Sequence, residues 1–209
     1  AGKPTVLVLL NGRPLSVRWA KENVNAIVEA WEPDMLGGQA IAEVLWGKVN
    51  PSGKLPVTIP WNEGQIPTNY NYKPMKYSRQ FVWGHNGCLY PFGYGLSYTQ
   101  FSYGEPKLEG RTVSIDVTNS GEMDGTEIVQ LYIHDEYASV TRPVKELKGF
   151  ERVELKAGET RTVSFEVTDD MLKCWGIDDK WSVEPGDFSI MVGSSSADED
   201  LKSVTLTVA

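Results

Sequence analysis

The sequence predicts two structural regions, an α/β region in the first half and an antiparallel β-sandwich in the second. In the first half, short continuous apolar runs alternate with stretches in which apolar residues have helical spacing. In the second half, apolar residues recur at every second position in about seven short segments separated by turn residues. This change from period 3.6 to period 2 is the observation that divides the chain.

In the α/β region, buried strands alternate with helices, which favours right-handed crossovers and a parallel sheet. Three strands are too few to cover both faces of such a sheet, so the region is typical of the end of a larger domain. Trp19, Trp31 and Trp46 fall on the predicted core faces. In chain order the predicted elements are a strand over 5–10, a helix over 15–23, a strand over 26–31, a helix over 39–46 and a strand over 55–59.

The second half predicts short strands that pack face to face as a sandwich. Residues 194–200 are polar and acidic, which predicts a solvated hairpin loop. Trp175 and Trp181 adjoin predicted strands, and we expect both to be packed. The predicted strands cover 112–117, 128–133, a segment around 147–153 bent at Gly149, 160–167, 188–192 and 204–208.

Composition excludes several classes of function. The 209 residues carry a net charge of −8, and nucleic acids or anionic membranes require a basic surface. The apolar run over residues 6–10 is too short to cross a bilayer. No Cys/His cluster has metal-ligand spacing, so we expect no metal or other cofactor, and Cys88 and Cys174 are predicted to be buried thiols. Nothing selects a compartment, so periplasmic, secreted and cytoplasmic locations all stay open.

Two motifs stand out from this pattern. The proline motif, residues 50–60, reads NPSGKLPVTIP, and the aromatic run, residues 89–99, reads LYPFGYGLSYT. Together they resemble the C-terminal region of glycoside hydrolase family 3, the β-glucosidase and β-xylosidase family, in which similar motifs recur at about this separation. Residues 139–150 and 155–160 resemble signatures of the fibronectin type III-like domain that ends many members.

The resemblance implies a domain organisation. Residues 1–87 would be the C-terminal part of the family's α/β sandwich domain with an irregular strap. Residues 88–104 would be an aromatic joint between domains, and residues 105–209 an immunoglobulin-like, fibronectin type III-like sandwich. The partners implied are the N-terminal barrel, the remainder of the α/β sandwich domain, a β-linked glycoside substrate and a second copy in a homodimer.

The resemblance also implies the chemistry. Retaining glycosidases use two carboxyl groups on opposite sides of the scissile bond. The family's nucleophilic Asp lies on the barrel, and its acid/base Glu lies upstream of the segment that matches residues 5–10. We therefore expect no catalytic residue in this chain and no hydrolysis by the chain alone.

The chain itself offers one weak carboxylate pair. Glu32 and Asp34 follow a predicted strand, and ligands of open α/β sheets bind near the carboxyl ends of strands. The favoured alternative is a turn before a helix whose N-terminus attracts acidic side chains.

An irregular segment, residues 61–87, supplies the candidate site residues. The favoured interpretation is a strap between domains, and the alternative hypothesis is a contact with the leaving-group side of the sugar site or with a second subunit. A different class of function also stays open, in which the chain is a stand-alone carbohydrate-binding or scaffolding module that docks on a separate catalytic polypeptide. The candidates are Trp61, Tyr70, Tyr72, Arg79 and Trp83.

Overall fold

The computed structural model describes residues 2–74 and 87–209. Within these ranges a small α/β region is followed by a larger region built of antiparallel strands. The elements are β1 (Val6–Leu9), α1 (Arg18–Asn23), β2 (Ala26–Glu29), α2 (Gly37–Leu45), β3 (Phe101–Tyr103), β4 (Lys107–Glu109), β5 (Thr112–Asn119), β6 (Gly125–Asp135), β7 (Glu146–Leu155), β8 (Thr160–Glu166), α3 (Asp169–Leu172), β9 (Cys174–Trp175), β10 (Trp181–Ser182), β11 (Gly186–Gly193) and β12 (Leu201–Val208).

The first region is a strand–helix–strand–helix unit with a parallel pair. β1 and β2 lie side by side with Val6 opposite Ala26, and α1 crosses between them. Both strands are only partly buried along their length. The prediction that Trp19 and Trp46 face a core is wrong for this chain, because they are 71% and 78% exposed. In the described ranges no layer covers these two side chains, which lie in α1 and directly after α2.

The predicted third strand does not join this parallel sheet. Residues 55–59 run antiparallel to the aromatic run instead, and an isolated bridge pairs Ile59 with Tyr90. The Leu55 carbonyl accepts from the Gly93 amide at 2.7 Å, and the Ile59 carbonyl accepts from the Leu89 amide at 2.8 Å. Proline has no amide hydrogen, so the prolines of the proline motif prevent a regular ladder here.

The second region is a sandwich of two antiparallel sheets. One sheet has the order β12-β11-β6-β7, and in the other β5 pairs with β3 and β4 on one side and with β8 on the other. Alternate residues of β5 are buried, as the period of two predicts. The predicted α/β region followed by a β-sandwich is therefore confirmed. Val113, Ile115 and Val117 of β5 pack in one core cluster with Leu131 of β6 and Ile190 of β11.

Two predictions about this region are wrong. The 194–200 segment is not a solvated loop throughout, because Ser195 and Ser196 are 1% and 8% exposed. The Ser196 amide donates to the Phe92 carbonyl of the aromatic run at 3.0 Å. Trp175 and Trp181 are not packed in the sandwich, because 50% and 62% of their surface is exposed. They lie on the short β9–β10 ribbon, whose two-residue strands sit outside both four-stranded sheets. The domain boundaries given above stay a prediction.

Candidate functional site

The aromatic run is held against the proline motif by backbone contacts that require glycine. A Cβ added at Gly95 would lie 2.2 Å from the carbonyl oxygen of Gly53, so a side chain cannot be accommodated without moving backbone. Lys54 donates from its Nζ to the carbonyl of Gly95 at 3.2 Å. Gly95 therefore allows the two segments to approach each other closely.

Asn50 connects three segments through one side-chain amide. Its Oδ1 accepts hydrogen bonds from Ser97 Oγ and from the backbone amide of Tyr98, both at 2.8 Å. Its Nδ2 donates to the carbonyl of Asp124 at 3.1 Å, in the turn between β5 and β6. The proline motif, the aromatic run and the sandwich thus meet at this residue.

On the sandwich side, buried polar residues of β6 contact the aromatic run through hydrogen bonds. Gln130 is 3% exposed, and its Nε2 donates to the carbonyls of Gly93 at 3.0 Å and Ser194 at 2.6 Å. The Tyr132 hydroxyl donates to Gln130 Oε1 at 2.6 Å. Gly93 has a φ of 79°, and a Cβ there would lie 2.1 Å from Gln130 Oε1. Both the backbone conformation and the space therefore require glycine at residue 93.

A shielded ion pair crosses the same joint. Lys54 Nζ lies 2.8 Å from Glu127 Oε1, and the two side chains are 13% and 6% exposed. Removing one partner would leave the other charge shielded from water and unpaired, which is costly. The pair therefore fixes the proline motif against β6.

A groove of about 1200 Å³ lies beside this joint. Residues 65–74, the first half of the aromatic run, the 196–200 loop and the outer side of β6 and β11 contribute to its lining. Lys21 donates to the carbonyl of Leu89 at 2.7 Å and lies 4.6 Å from the centre of the Tyr90 ring. Lys145 donates to the carbonyl of Ser196 at 3.0 Å and pairs with Asp198.

The described lining of the groove could contact a ligand, but it does not form an arrangement of catalytic residues. Its lining is mainly apolar and aromatic, and its charged side chains, two lysines and four carboxylates, are mainly acidic. Burial is the main cause that raises the pKa of the Cys88 thiol, which therefore remains protonated at neutral pH and is a poor nucleophile. Over residues 2–74 and 87–209, no group of three or more His, Cys, Asp or Glu side chains could hold a metal ion.

The structure places the predicted site residues in different surroundings. Tyr70 is stacked on Phe92 with ring centres 4.2 Å apart, and its hydroxyl accepts a hydrogen bond from the Leu147 amide at 3.1 Å. Tyr72 also lines the groove and is 44% exposed. Trp61 lies elsewhere, with the Arg18 guanidinium 4.9 Å from its ring centre. Arg79 and Trp83 lie outside the described residues.

The weak carboxylate pair has a local explanation. Asp34 Oδ1 accepts the backbone amide of Met35 at 2.8 Å, and both Glu32 and Asp34 are exposed. The Gly37 amide also donates to the Asp34 carbonyl at 2.7 Å, which is the hydrogen bond that closes a β-turn. This arrangement favours the turn that the sequence suggested.

Sequence reasoning missed the polar residues that hold the joint. The available signal was in residues 128–133 of β6, IVQLYI, where apolar residues stand on both faces of the strand. Two-sided burial predicts a second packing layer outside the sandwich. Gln130 and Tyr132 face that layer, whereas Val129 and Leu131 face the core. Lys145, which is 7% exposed, gave no local signal.

Taken together, the fold joins the end of a parallel α/β domain to an antiparallel sandwich through two glycine-containing motifs. Two family models match the chain in this order. The model described as the glycosyl hydrolase family 3 C-terminal domain matches residues 1–98, and the fibronectin type III-like domain matches residues 127–196. The chain belongs to glycoside hydrolase family 3 and corresponds to the C-terminal portion of its members.

Known proteins agree with this assignment. A β-xylosidase from Formosa agariphila is 48% identical over 99% of this chain and 30% of its own length. A periplasmic β-glucosidase from Salmonella typhimurium is 45% identical over 94% of this chain and 28% of its own length. The solved structure of a β-glucosidase from Erythrobacter marinus superimposes with a TM-score of 0.93 at 45% identity, over 98% of this chain and 28% of that one. The chain thus spans less than a third of the length of these relatives.

Proposed function

We propose that this chain forms part of a retaining β-glycosidase that hydrolyses β-linked glucosides or xylosides without a cofactor. The catalytic carboxylates belong to the N-terminal portion of that enzyme. The role of this chain is to complete the α/β sandwich domain and to join the fibronectin type III-like domain to it. The relatives described above, a β-xylosidase and a β-glucosidase, support this reaction class.

The observation that carries the proposal is the uncovered apolar surface of the α/β region. Parallel sheets are almost always covered on both faces, yet β1 and β2 have no fully buried residue. Scattered exposed apolar residues are normal, but a concentration in one small region indicates an interface. The large apolar residues exposed there are Val6, Leu10, Leu15, Trp19, Met35, Leu36, Leu45, Trp46 and Val49.

The remainder of the α/β sandwich domain is the occupant that fits this surface. A parallel pair adjoined by two helices is extended by further strands and helices of the same domain. Covering the exposed indoles of Trp19 and Trp46 would remove large apolar area from water, which stabilises the joined form.

The test is a chimera in which this chain replaces the matching C-terminal portion of the Formosa agariphila β-xylosidase. We expect the chimera to hydrolyse nitrophenyl β-xyloside or β-glucoside, and the isolated chain to hydrolyse neither. Introducing Leu10→Asp together with Trp46→Asp should abolish the activity, because a carboxylate would have to be buried at the interface.

Ile177→Asp is the matched control, because Ile177 is 80% exposed but belongs to the sandwich region. We expect this chimera to keep its activity. Full activity of the doubly substituted chimera would contradict the proposed interface, and turnover by the isolated chain would contradict the location of the carboxylates.

We also propose that the irregular segment contacts the leaving-group side of the substrate or a second subunit. The exposure of Tyr72 on the groove supports this role. Replacing Tyr72, Arg79 and Trp83 by Ala in the chimera should change the KM or the sedimentation coefficient. Unchanged kinetics, melting temperature and oligomeric state would overturn this second proposal.

A further inference from the structure

A second hollow, of about 420 Å³, lies at the edge of the sandwich and has an unusual combination of walls. Trp175 and Trp181 form one wall, with their ring centres 5.8 Å apart and their planes at 78°. At least half of the surface of each side chain is exposed, although large aromatic side chains normally contribute buried area to a core or an interface. We call this cavity the indole hollow. Its volume is within the usual range for small-molecule sites.

The two indoles are held in place by the ribbon that carries them. Trp175 and Trp181 are directly opposite each other across β9 and β10, and the Gly176 amide donates to the Lys180 carbonyl at 2.9 Å. Trp175 Nε1 donates to Asp179 Oδ1 at 3.3 Å. A surface that is fixed before binding loses less entropy when a ligand arrives.

The ribbon is also braced against the rest of the sandwich. Glu184, just beyond β10, accepts hydrogen bonds from the amide and the hydroxyl of Ser139, in the connection between β6 and β7. These hydrogen bonds lower the pKa of the Glu184 carboxyl. Ser139 Oγ in turn accepts the Ile177 amide at 3.4 Å, at the tip of the ribbon.

The charge around the indole hollow is opposite in sign to that of the chain. Four basic and two acidic side chains line it, whereas the whole chain has a net charge of −8. Lys173 Nζ lies 5.7 Å from the centre of the Trp181 ring and 2.7 Å from Asp170 Oδ1. Lys148 Nζ lies 3.6 Å from Glu146 Oε1. Cationic side chains beside exposed indoles suit a ligand that has both an apolar face and a negative group.

We propose that the indole hollow binds an acidic oligosaccharide, a β-linked sugar chain carrying a uronate carboxylate. The carbon–hydrogen face of a pyranose ring packs on an indole, and a carboxylate forms charge-assisted hydrogen bonds with lysines. Such a site adds a ligand-binding role for the fibronectin type III-like region to the proposed function. It does not depend on the reaction that the complete polypeptide catalyses.

Calorimetric titration of the 209-residue chain tests the proposal with two tetrasaccharides of the same β-linkage, one neutral and one carrying a single glucuronate. We expect the uronate to bind at least about tenfold more tightly at low salt, and the difference to shrink as salt screens the lysines. Ligand addition should also change tryptophan fluorescence. Failure of the uronate to bind, or equal binding of both sugars, would overturn the proposal.

Three variants test the proposed roles of the tryptophan and the lysine. Trp181→Ala should weaken uronate binding by about tenfold or more, as for other aromatic anchors, whereas Trp181→Phe should retain part of the affinity. Lys148→Gln should remove most of the preference for the uronate. Circular dichroism melting shows whether each variant is folded, and folded Trp181→Ala with unchanged affinity would overturn the assignment.

Ile177→Ser is the matched control, because Ile177 is exposed at the tip of the same ribbon but does not line the hollow. We expect its sugar affinity to equal that of the unsubstituted chain. If instead Ile177→Ser and Trp181→Ala both abolish a self-association seen by sedimentation while sugar binding is absent, the patch is a protein contact and the proposal fails.

Discussion

The two regions of this chain differ in how completely they bury their own apolar residues. In the sandwich, β5, β6 and β11 contribute residues such as Val117, Leu131 and Ile190 that have essentially no exposed surface. In the α/β region the strands are only partly buried, and Trp46 is 78% exposed. The sandwich is a complete core, whereas the α/β region is an incomplete one that needs further layers. The two regions therefore differ in the origin of their stability. The sandwich is stabilised by its own core, and the α/β region depends on further packing layers.

Expressing the two regions as separate fragments should have the largest effect on folding. We expect a fragment of residues 99–209 to melt cooperatively, because both sheets and their shared core lie within it. A fragment of residues 1–98 should show no cooperative transition, since two parallel strands without a covering layer cannot offset the loss of chain entropy. Circular dichroism melting measures both. Cooperative melting of the 1–98 fragment would show that the α/β region is a complete domain.

A pair of leucine truncations measures the same contrast within the intact chain. Leu131→Ala should lower the free energy of unfolding by about 3 kcal/mol, because Leu131 is fully buried in the core. Leu10→Ala should change it by less than about 0.5 kcal/mol, because Leu10 is 64% exposed. Urea unfolding followed by tryptophan fluorescence checks both values. Equal effects would mean that the α/β region is better packed than its exposure indicates.

The joint between the regions is tested through its ion pair. Lys54→Ala should destabilise the chain by about 3 kcal/mol, because Glu127 would keep a buried charge without its partner. Replacing both residues, as Lys54→Met with Glu127→Gln, should recover most of the loss. With the single variants Lys54→Met and Glu127→Gln, the comparison is a double-mutant cycle measured by urea unfolding. If Lys54→Met alone is as stable as the double variant, the loss in Lys54→Ala comes from packing and not from the unpaired charge.

The smallest expected effect is a pH dependence that originates in the sandwich. Asp135 is 7% exposed, and burial is the main cause that raises its pKa above the ordinary 3.8. A raised folded-state pKa gives a stability contribution that is complete below the ordinary pKa and is lost as the pH rises through the folded-state value.

Asp135→Asn removes this titration and keeps an acceptor for the Tyr137 amide. The variant should therefore gain stability relative to the unsubstituted chain as the pH rises from about 3 to 7. Thermal melts across this range give the difference. A difference that stays constant with pH would contradict the assignment to Asp135.

Much of the sandwich could be predicted from the sequence because its strands are buried on one face. Val113, Ile115 and Val117 show the period of two directly, and turn residues separate the strands. The third α/β strand was mispredicted because a continuous apolar run does not say which segment it pairs with. The exposed tryptophans were mispredicted because helical spacing identifies an apolar face without showing that anything covers it.

The candidate site was less predictable still. Tyr70 and Phe92 are 22 positions apart, and only the folded chain shows that their rings stack. Lys145 and Ser196 come from distant segments that meet beside the groove. Hydrogen bonds between remote positions leave no local pattern in a sequence, whereas glycines that permit close approach leave a recognisable motif.

The sequence alone therefore determined the family, the order of the two regions and the strands of the sandwich, because motifs and periodicity are local properties. Only the tertiary structure decided that the aromatic run packs between the proline motif and β6. It also decided that Trp175 and Trp181 face outward and that the α/β region presents an uncovered apolar surface. These features depend on which distant segments meet, and burial is a property of the whole fold and not of any single stretch.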